Sequence, residues 1–334
     1  MTASTPLRWG ILGTGGIAHR QVSDLIKYGF TVSAVGSRSA ESAEAFATEF
    51  GIDTAHASYE SLVADAEVDI IYVATPHPFH FENALLALDA SKHVLVEKTF
   101  TINAGQAAMV VDAAAKRNLV VMEAMWTRFL PHMVRIREII AEGTIGDVRT
   151  VFADHNQRLP TDPAHRINNP ELGGGALLDL GIYPVSLAFD LLGQPTTIVA
   201  TSSRTATGVD RQTAIVLGYP DGQQAVLQCA LDTAGPNRAT ILGTAGYIDI
   251  ENVWYAPTGF TVYDADRTVI EKYANTVKQH GMQYQAWEIE RRIRANNSAV
   301  GADPRDILPP SESVEIMRAL DLIRAQIGLV YPGE

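Results

Sequence analysis

The feature that most constrains the fold is a regular alternation of strand-like and helix-like segments over residues 7–123. Short runs rich in Val and Ile, such as VDIIYVATP and KHVLVEK, are separated by helix-like stretches such as SAESAEAFATEFG. Strands with continuous apolar character are buried on both faces, and the helices that join them cover those faces. The pattern predicts an α/β domain with a doubly wound parallel sheet over residues 1–123.

Residues 124–334 have a different pattern of apolar and polar residues. The stretches DVRTVFADHNQ, QQAVLQCALD and GYIDIENVWYAP alternate apolar and polar residues, with no helices between them. Helices are expected at 176–192, 283–295 and near 311–327, and the last of them can pack back on the first domain. This pattern predicts a second, α+β domain with a large open, mostly antiparallel sheet. An uncovered sheet face exposes apolar surface, so we expect a homodimer or homotetramer formed through it.

Composition limits the partners and the compartment. The formal net charge of -12 argues against nucleic acid and anionic membranes as partners. We find no export signal, and no apolar run of the ~18 residues that a membrane helix needs. The single cysteine, Cys229, cannot form an internal disulfide, so a reduced, cytoplasmic setting is expected. The histidines are interpreted as lacking H-x-x-H and H-E-x-x-H spacing, which predicts no metal site.

A G-x-G-x-x-A pattern at Gly13, Gly15 and Ala18 follows the first strand and opens the first helix. Such glycines allow a tight turn and let the backbone approach a pyrophosphate at the helix N-terminus. The second strand ends in Ser37 and Arg38, where an acidic residue would bind a ribose 2′-hydroxyl. A hydroxyl and a guanidinium suit a 2′-phosphate, which favours NADP(H) and leaves NAD(H) possible.

Candidate polar groups follow three further strands, at the edge of the sheet where ligands bind in open α/β folds. His80 follows VDIIYVAT, Lys98 ends KHVLVEK, and Trp126 and Arg128 follow LVVMEA. The predicted cofactor-binding residues are Gly13, Thr14, Gly15, Gly16, Ile17, Ser37, Arg38, Thr75, Pro76, His80, Glu97 and Lys98.

The stretches GILGTGGIA, ATPHPFHFENALLAL, KHVLVEKTF and GGGALLDLGIYP resemble the glucose-fructose oxidoreductase / inositol dehydrogenase (Gfo/Idh/MocA) superfamily. EAMWTRFLP and IGLVYP are similar to its branch of dimeric dihydrodiol dehydrogenases and NADP-dependent D-xylose dehydrogenases. The resemblance implies an NAD(P)-binding Rossmann domain and an α+β domain. It places the family's Glu-Lys-Pro motif at Glu97–Thr99, with threonine for proline. The family's motif of an aspartate, a glycine and a final histidine or tyrosine falls on Asp179, Gly181 and Tyr183.

These residues suggest hydride transfer between nicotinamide and a carbinol carbon. Tyr183 is expected to exchange the hydroxyl proton, Lys98 to lower the pKa of Tyr183, and Asp179 to orient the substrate or Lys98. Gly181 is interpreted as room for the ligand, Pro184 as a kink that turns Tyr183 to the cleft, and Gly173–Gly175 as a path under the cofactor.

Hydrogen-bonding and stacking groups favour a sugar or polyol as the substrate. The predicted substrate-binding residues are Trp126, Arg128, His155, Asn156, Arg166 and Trp254. The alternatives are a trans-dihydrodiol dehydrogenase or dicarbonyl reductase, and a non-catalytic NADP(H)-sensing regulator. A regulator needs neither Lys98 nor Tyr183.

Overall fold

The structure, a computed structural model, describes residues 5–295, 303 and 306–334. The described residues form two compact units, one within Met1–Trp126 and Gln279–Val314 and one within Thr127–Lys278 and Glu315–Glu334.

The first unit contains a parallel sheet. Its six strands in the described part of the chain are β1 (Arg8–Leu12), β2 (Thr31–Gly36), β3 (Thr54–His56), β4 (Ile70–Val73), β5 (His93–Glu97) and β6 (Val121–Ala124). They lie in the order β3-β2-β1-β4-β5-β6 and every described pair is parallel. The order reverses at β1, as in a doubly wound sheet, so the carboxyl ends of β1 and β4 border the crevice that such folds use for ligands. The predicted α/β class is confirmed.

Helices cover this sheet. They are α1 (Gly16–Lys27), α2 (Ala40–Phe50), α3 (Tyr59–Val63), α4 (His80–Asp89) and α5 (Ala104–Lys116). α2 ends as expected at Gly51, which has a left-handed φ of 66°. The sequence reading missed the short elements β3 and α3. Three and five residues are too few to show a period.

The second unit is built on a mixed, mostly antiparallel sheet. Its eight described strands are β7 (Val148–Asn156), β8 (Thr197–Arg204), β9 (Asp210–Gly218), β10 (Gln224–Ala230), β11 (Ala239–Gly243), β12 (Gly246–Ile250), β13 (Phe260–Asp264) and β14 (Val269–Tyr273). The order is β14-β13-β12-β11-β7-β10-β9-β8, with β7 and β10 parallel. This confirms the predicted open sheet.

The described helices beyond residue 126 are α6 (Pro131–Ala141), α7 (Ile182–Leu192), α8 (Gln283–Arg294) and α9 (Pro310–Ile327). α6 was not predicted, although Pro131 at its first position and Gly143 after its end are typical helix boundaries. A π-helical turn, Leu177–Gly181, precedes α7 directly. Such turns accommodate a missing i→i−4 bond, so Pro184 follows a locally widened helix.

The segment Pro170–Leu192 is long and apolar enough to cross a membrane by length and composition, which corrects the expectation that the chain has no such run. However, 83% of its most apolar window is buried inside the protein. That burial is typical of a core helix. Its residues 177–189 are buried and pack largely against the sheet of the second unit.

Candidate active site

The dinucleotide turn of the first unit begins where β1 ends. Gly13 has a φ of 107°, its N–H donates to the Gly36 carbonyl at 2.9 Å, and a Cβ there would lie 3.0 Å from the Ala74 carbonyl oxygen. Gly15 caps α1, and a Cβ at Gly15 or Gly16 would meet no atom of the described residues within 4 Å. The first glycine is therefore required by the fold, whereas the other two leave the helix N-terminus open to a ligand.

The end of β2 presents the predicted phosphate-recognising pair. Ser37 is mostly buried, and its hydroxyl accepts a hydrogen bond from the Ser39 N–H at 3.3 Å. Arg38 is exposed, with its guanidinium carbon 6.0 Å from the Phe79 ring centroid. The arginine head thus lies over an aromatic face with its donors open to solvent. That geometry can receive an anionic group.

His80 is placed differently from the prediction. Its ring is fully buried, and its Nδ1 and Nε2 each lie 2.7 Å from a backbone carbonyl oxygen, that of Thr99 and that of Thr75 respectively. Burial lowers its pKa. His80 therefore ties the end of β4 to the chain after β5 instead of contacting the cofactor. Thr75 and Pro76 remain partly exposed at the end of β4, so their cofactor-binding role stays a prediction.

The reading of the histidine spacing was also wrong, because His77 and His80 do form an H-x-x-H pair, with ring centroids 5.7 Å apart. Both ring nitrogens of His80 already contact carbonyls. Among the described residues, no group of three His, Cys, Asp or Glu side chains could hold a metal ion.

Lys98 follows a buried acidic cluster. Glu97 is 4% exposed, and its carboxylate accepts bonds from the Tyr72 hydroxyl at 2.5 Å and the Lys98 N–H at 3.3 Å. Burial raises the pKa of Glu97 to about 7. Glu123 on the adjacent strand is also buried and accepts from the Phe100 N–H at 3.1 Å. Glu97 is thus an internal neighbour of Lys98 and not a cofactor contact, which corrects its predicted role. Lys98 itself remains partly exposed.

In the second unit, the helical segment that begins at Leu177 carries Asp179 and Tyr183. Asp179 accepts a hydrogen bond from Arg166 Nη1 at 3.2 Å. The Asp179 side chain is 9% exposed and that of Arg166 52% exposed. The structure therefore joins two of the residues predicted independently for catalysis and substrate binding. Because the Arg166 side chain is half exposed, its guanidinium remains accessible to a ligand.

Tyr183 belongs to an aromatic cluster. Its ring lies edge-on to His155, with centroids 5.0 Å apart, and 5.3 Å from Tyr255. His155 stacks on Tyr255 at 3.7 Å, and its Nε2 lies 2.8 Å from the Gln157 side-chain nitrogen. Burial raises the pKa of Tyr255 to about 12. Tyr255 and Gln157 were not among the predicted site residues, although Tyr255 directly follows Trp254.

Three predicted substrate residues have structural roles instead. Trp254 is fully buried, and its indole N–H donates to the Asp154 carbonyl at 2.8 Å, so it offers no stacking face. Arg128 is 2% exposed and pairs with Asp190 at 3.0 Å. Asn156 is 8% exposed, and its amide donates to Asp154 Oδ2 at 2.8 Å. Trp126 stays partly exposed, so its substrate role remains a prediction. His155 lies beside Tyr183 but is only 1% exposed, so its burial does not support the predicted substrate contact.

The glycines before and within this helical segment fit neighbouring protein atoms. A Cβ at Gly181 would lie 2.9 Å from Cys229 Sγ, and one at Gly174 would lie 2.6 Å from the Ile167 carbonyl oxygen. A Cβ at Gly175 would lie 2.2 Å from Asp210 Oδ1. The interpretation that these glycines make room for a ligand is wrong, since protein atoms of the same unit occupy that room.

Comparison with known proteins places the chain in a family. Residues 7–125 match the model of an oxidoreductase family with an NAD-binding Rossmann fold, and residues 133–249 match the GFO/IDH/MocA C-terminal domain. D-xylose 1-dehydrogenase (NADP(+)) of Hypocrea jecorina is 36% identical, over 98% of this chain and 93% of that protein. The chain belongs to the Gfo/Idh/MocA oxidoreductase family.

Other members of the Gfo/Idh/MocA family are similarly related. Trans-1,2-dihydrobenzene-1,2-diol dehydrogenase of Mus musculus is 35% identical, over 98% of this chain and 99% of that protein. The crystal structure of a 3-ketoreductase from Actinomadura kijaniata, in complex with NADP and TDP-benzene, superposes with a TM-score of 0.85 at 25% identity. The alignment covers 97% of this chain and 98% of that one.

The first unit of this Gfo/Idh/MocA protein fits the dinucleotide that its family binds. The open space above Gly15 and Gly16 would receive the pyrophosphate at the N-terminus of α1. Partly exposed Thr14 and Ile17 border the same turn, and Arg38 stands at the end of the neighbouring strand. The chain is therefore an NAD(P)-binding oxidoreductase. The finer assignments of cofactor and substrate are proposed below.

Proposed function

We propose that this protein is an NADP(H)-dependent oxidoreductase that transfers hydride between nicotinamide and a carbinol or carbonyl carbon of a sugar or polyol. The single observation that carries the proposal is the environment of Tyr183. A phenol flanked by His155 and Tyr255 shares its helix with Asp179, which holds an accessible guanidinium. A proton-handling group beside polar donors is what an alcohol dehydrogenase requires.

The nicotinamide supplies the hydride chemistry when bound. Tyr183 would take the hydroxyl proton in oxidation and return it in reduction. The ammonium of Lys98 would stabilise the phenolate, since an ordinary tyrosine has a pKa of about 10 and is a poor base at neutral pH. Asp179 would orient the substrate through Arg166, whose exposed guanidinium it holds in place. The Lys98 and Tyr183 roles rest on chemistry and on the family motifs.

NADP(H) is the proposed cofactor because Arg38 is exposed at the end of β2, beside the hydroxyl of Ser37. An arginine there can pair with a 2′-phosphate in a fork geometry. The related D-xylose dehydrogenase is named for NADP, which supports this preference. NAD(H) is the alternative.

The substrate is proposed to be a sugar or polyol because partly exposed Gln157 and exposed Arg166 carry hydrogen-bonding groups. Gln157 contacts His155, which lies against Tyr183, and Arg166 contacts Asp179. The aromatic cluster of Tyr183, His155 and Tyr255 favours a second candidate, a flat trans-dihydrodiol, as acted on by the mouse relative. The two candidates differ in whether the substrate ring carries several hydroxyl groups or an unsaturated face.

We also propose that the chain forms a homodimer or homotetramer through the open sheet. Directly paired positions across four strands carry exposed apolar side chains, with 37–58% of each residue exposed: Val199, Val216, Val226 and Phe152. A continuous apolar stripe of this kind is typical of an interface. The buried single cysteine, Cys229, supports the proposed cytoplasmic setting.

The deciding experiment is a panel of aldoses, inositols and dihydrodiols with NADP⁺ and NAD⁺, and of deoxy-ketoses with NADPH and NADH. Both are read as the absorbance of the reduced cofactor. Turnover of an aldose or polyol with NADP⁺, at a higher kcat/KM than any dihydrodiol, is expected. The Tyr183→Phe and Lys98→Met variants should lose about 10²–10⁴-fold in kcat, the range of positioned acid–base groups. Cofactor binding without turnover of any panel member would favour the regulator.

A further inference from the structure

A turn at residues 174–176 precedes the helical segment that carries Asp179 and Tyr183. Two buried side chains from distant parts of the second unit hold this turn. Asp210 lies at the start of β9 and is 1% exposed, and Tyr331 follows α9 and is 3% exposed. The Tyr331 hydroxyl donates to the Gly174 carbonyl at 2.8 Å. Asp210 Oδ2 accepts the Leu177 N–H at 2.7 Å. The two contacts flank Gly175, one on each side.

Gly175 allows both groups to approach the backbone. Its φ is 126°, and a Cβ there would lie 2.2 Å from Asp210 Oδ1 and 3.2 Å from the Tyr331 hydroxyl oxygen. Any side chain at this position would displace one group or both. The close fit means that the turn cannot move without disturbing its two anchors.

Both anchors are themselves held in place. Asp210 Oδ2 also accepts the Thr213 hydroxyl at 3.0 Å. The Tyr331 ring lies 5.3 Å from the guanidinium carbon of Arg324, and Arg324 pairs with Glu334 at 2.6 Å. Glu334 in turn accepts the Tyr331 N–H at 2.9 Å. Because Arg324 has a side chain only 6% exposed, this ion pair is largely shielded from solvent.

We propose that Asp210 and Tyr331 are positioning residues for the reaction assigned above. They fix the π-helical turn that begins at Leu177, two residues before Asp179 and six before Tyr183. Displacing this turn would move the carboxylate and the phenol together, and a misplacement of about 1 Å can cost on the order of 10²-fold in rate. The inference rests on the proposed function, and it gives the IGLVYP stretch a structural role.

The test compares Tyr331→Phe with the matched control Tyr219→Phe. Tyr219 is 7% exposed, and its hydroxyl lies 3.5 Å from the Ala188 carbonyl, in the second half of α7. Each variant removes one buried hydroxyl that contacts a backbone carbonyl, that of Gly174 in the turn before the helical segment or that of Ala188 within α7. Because the Asp210 anchor remains, Tyr331→Phe should lower kcat about three- to tenfold, less than the ~10²-fold of a full misplacement. The KM for NADP should not change, and Tyr219→Phe should leave kcat within about twofold.

Hydrogen exchange supplies a readout that does not depend on turnover. Peptides covering 174–183 should exchange faster in Tyr331→Phe than in the wild type, and those covering 184–192 should not. Asp210→Asn should also speed exchange at 174–183 and alter the pH profile of kcat. Equal exchange at 174–183 in the Tyr331→Phe and Tyr219→Phe variants, or equal kcat, would overturn the proposal. An inactive wild type would contradict the proposed function alone, because exchange still decides whether the turn is anchored.

Discussion

Arg166 and Asp179 lie on either side of the glycine run, and the guanidinium of the first donates to the carboxylate of the second across 3.2 Å. The carboxylate is nearly buried and the guanidinium is half exposed. A substrate oxygen could therefore bind Arg166 while Asp179 holds the arginine in place. This contact is the reason why Arg166 is included in the proposed site.

Arg166→Ala should raise the substrate KM about five- to tenfold and lower kcat less. A hydrogen bond to a charged group contributes about 1.5–3 kcal/mol, and solvent screening at a half-exposed site reduces that value. Steady-state kinetics would show this split. Arg211→Ala is the matched control, since Arg211 is similarly exposed and pairs with Asp232 at 3.9 Å. An equal KM change in both variants would remove Arg166 from the site.

Arg38→Ala should weaken NADP(H) more than NAD(H). Loss of a charge-assisted contact to the 2′-phosphate should raise the KM for NADP⁺ about tenfold or more and leave that for NAD⁺ within about twofold. Initial rates with both cofactors measure the ratio. Arg117 lies directly after α5 and pairs with Asp89, the last residue of α4. Arg117→Ala should change neither KM value. A parallel loss with NAD⁺ and NADP⁺ would refute phosphate recognition.

Arg128→Met should destabilise the fold by about 1.5–3 kcal/mol, because the buried Asp190 carboxylate loses one charge-assisted contact but keeps Arg137 as a partner. Urea unfolding at neutral pH would measure the loss, with the slope of the transition unchanged. Arg149→Met is the control, since half-exposed Arg149 pairs only loosely with Asp147, and its cost should stay within about 0.5 kcal/mol. Comparable losses in the two variants would mean that Arg128 has no special structural role.

Glu97→Gln should flatten the dependence of stability on pH. Burial raises the pKa of Glu97 from 4.5 to about 7 in the native state. Between these pH values the native protein holds a proton that the unfolded chain has lost, so this group's contribution is full below about pH 4.5 and is lost as pH rises through about 7. Urea midpoints at pH 5 and pH 8 should therefore differ less in Glu97→Gln than in the wild type. Glu44→Gln, at an exposed position of α2, should keep the wild-type difference.

Val216→Lys should dissociate the proposed oligomer, because it places a charge in the middle of the exposed apolar stripe of the open sheet. Light scattering after size-exclusion chromatography would report the mass. Leu322→Lys, at another exposed apolar position, on α9, should leave the mass unchanged. A wild type that is monomeric at micromolar concentration would contradict the proposed assembly.

Local chain chemistry accounts for what could be predicted. Gly13 and Gly15 directly after β1 predict the dinucleotide turn. Gly13 can adopt a positive φ, and Gly15 leaves the N-terminus of α1 open, because glycine has no side chain. Arg38 and Lys98 were found because strand ends set where the side chains of a parallel sheet emerge. Short elements such as α3 were missed because a few residues carry no periodic signal.

The sequence by itself determined the order of the elements, the two sheet types and the set of polar residues from which a site could be built. Only the tertiary structure decided which of them face a ligand. Trp254, Arg128 and His80 are residue types that often contact ligands, yet each is buried and bonded to residues outside its own helix or strand. Gly175 was likewise predicted to leave space for the cofactor, but Asp210, 35 residues later in the chain, lies against it. Burial and close approach depend on long-range packing, which no local pattern records.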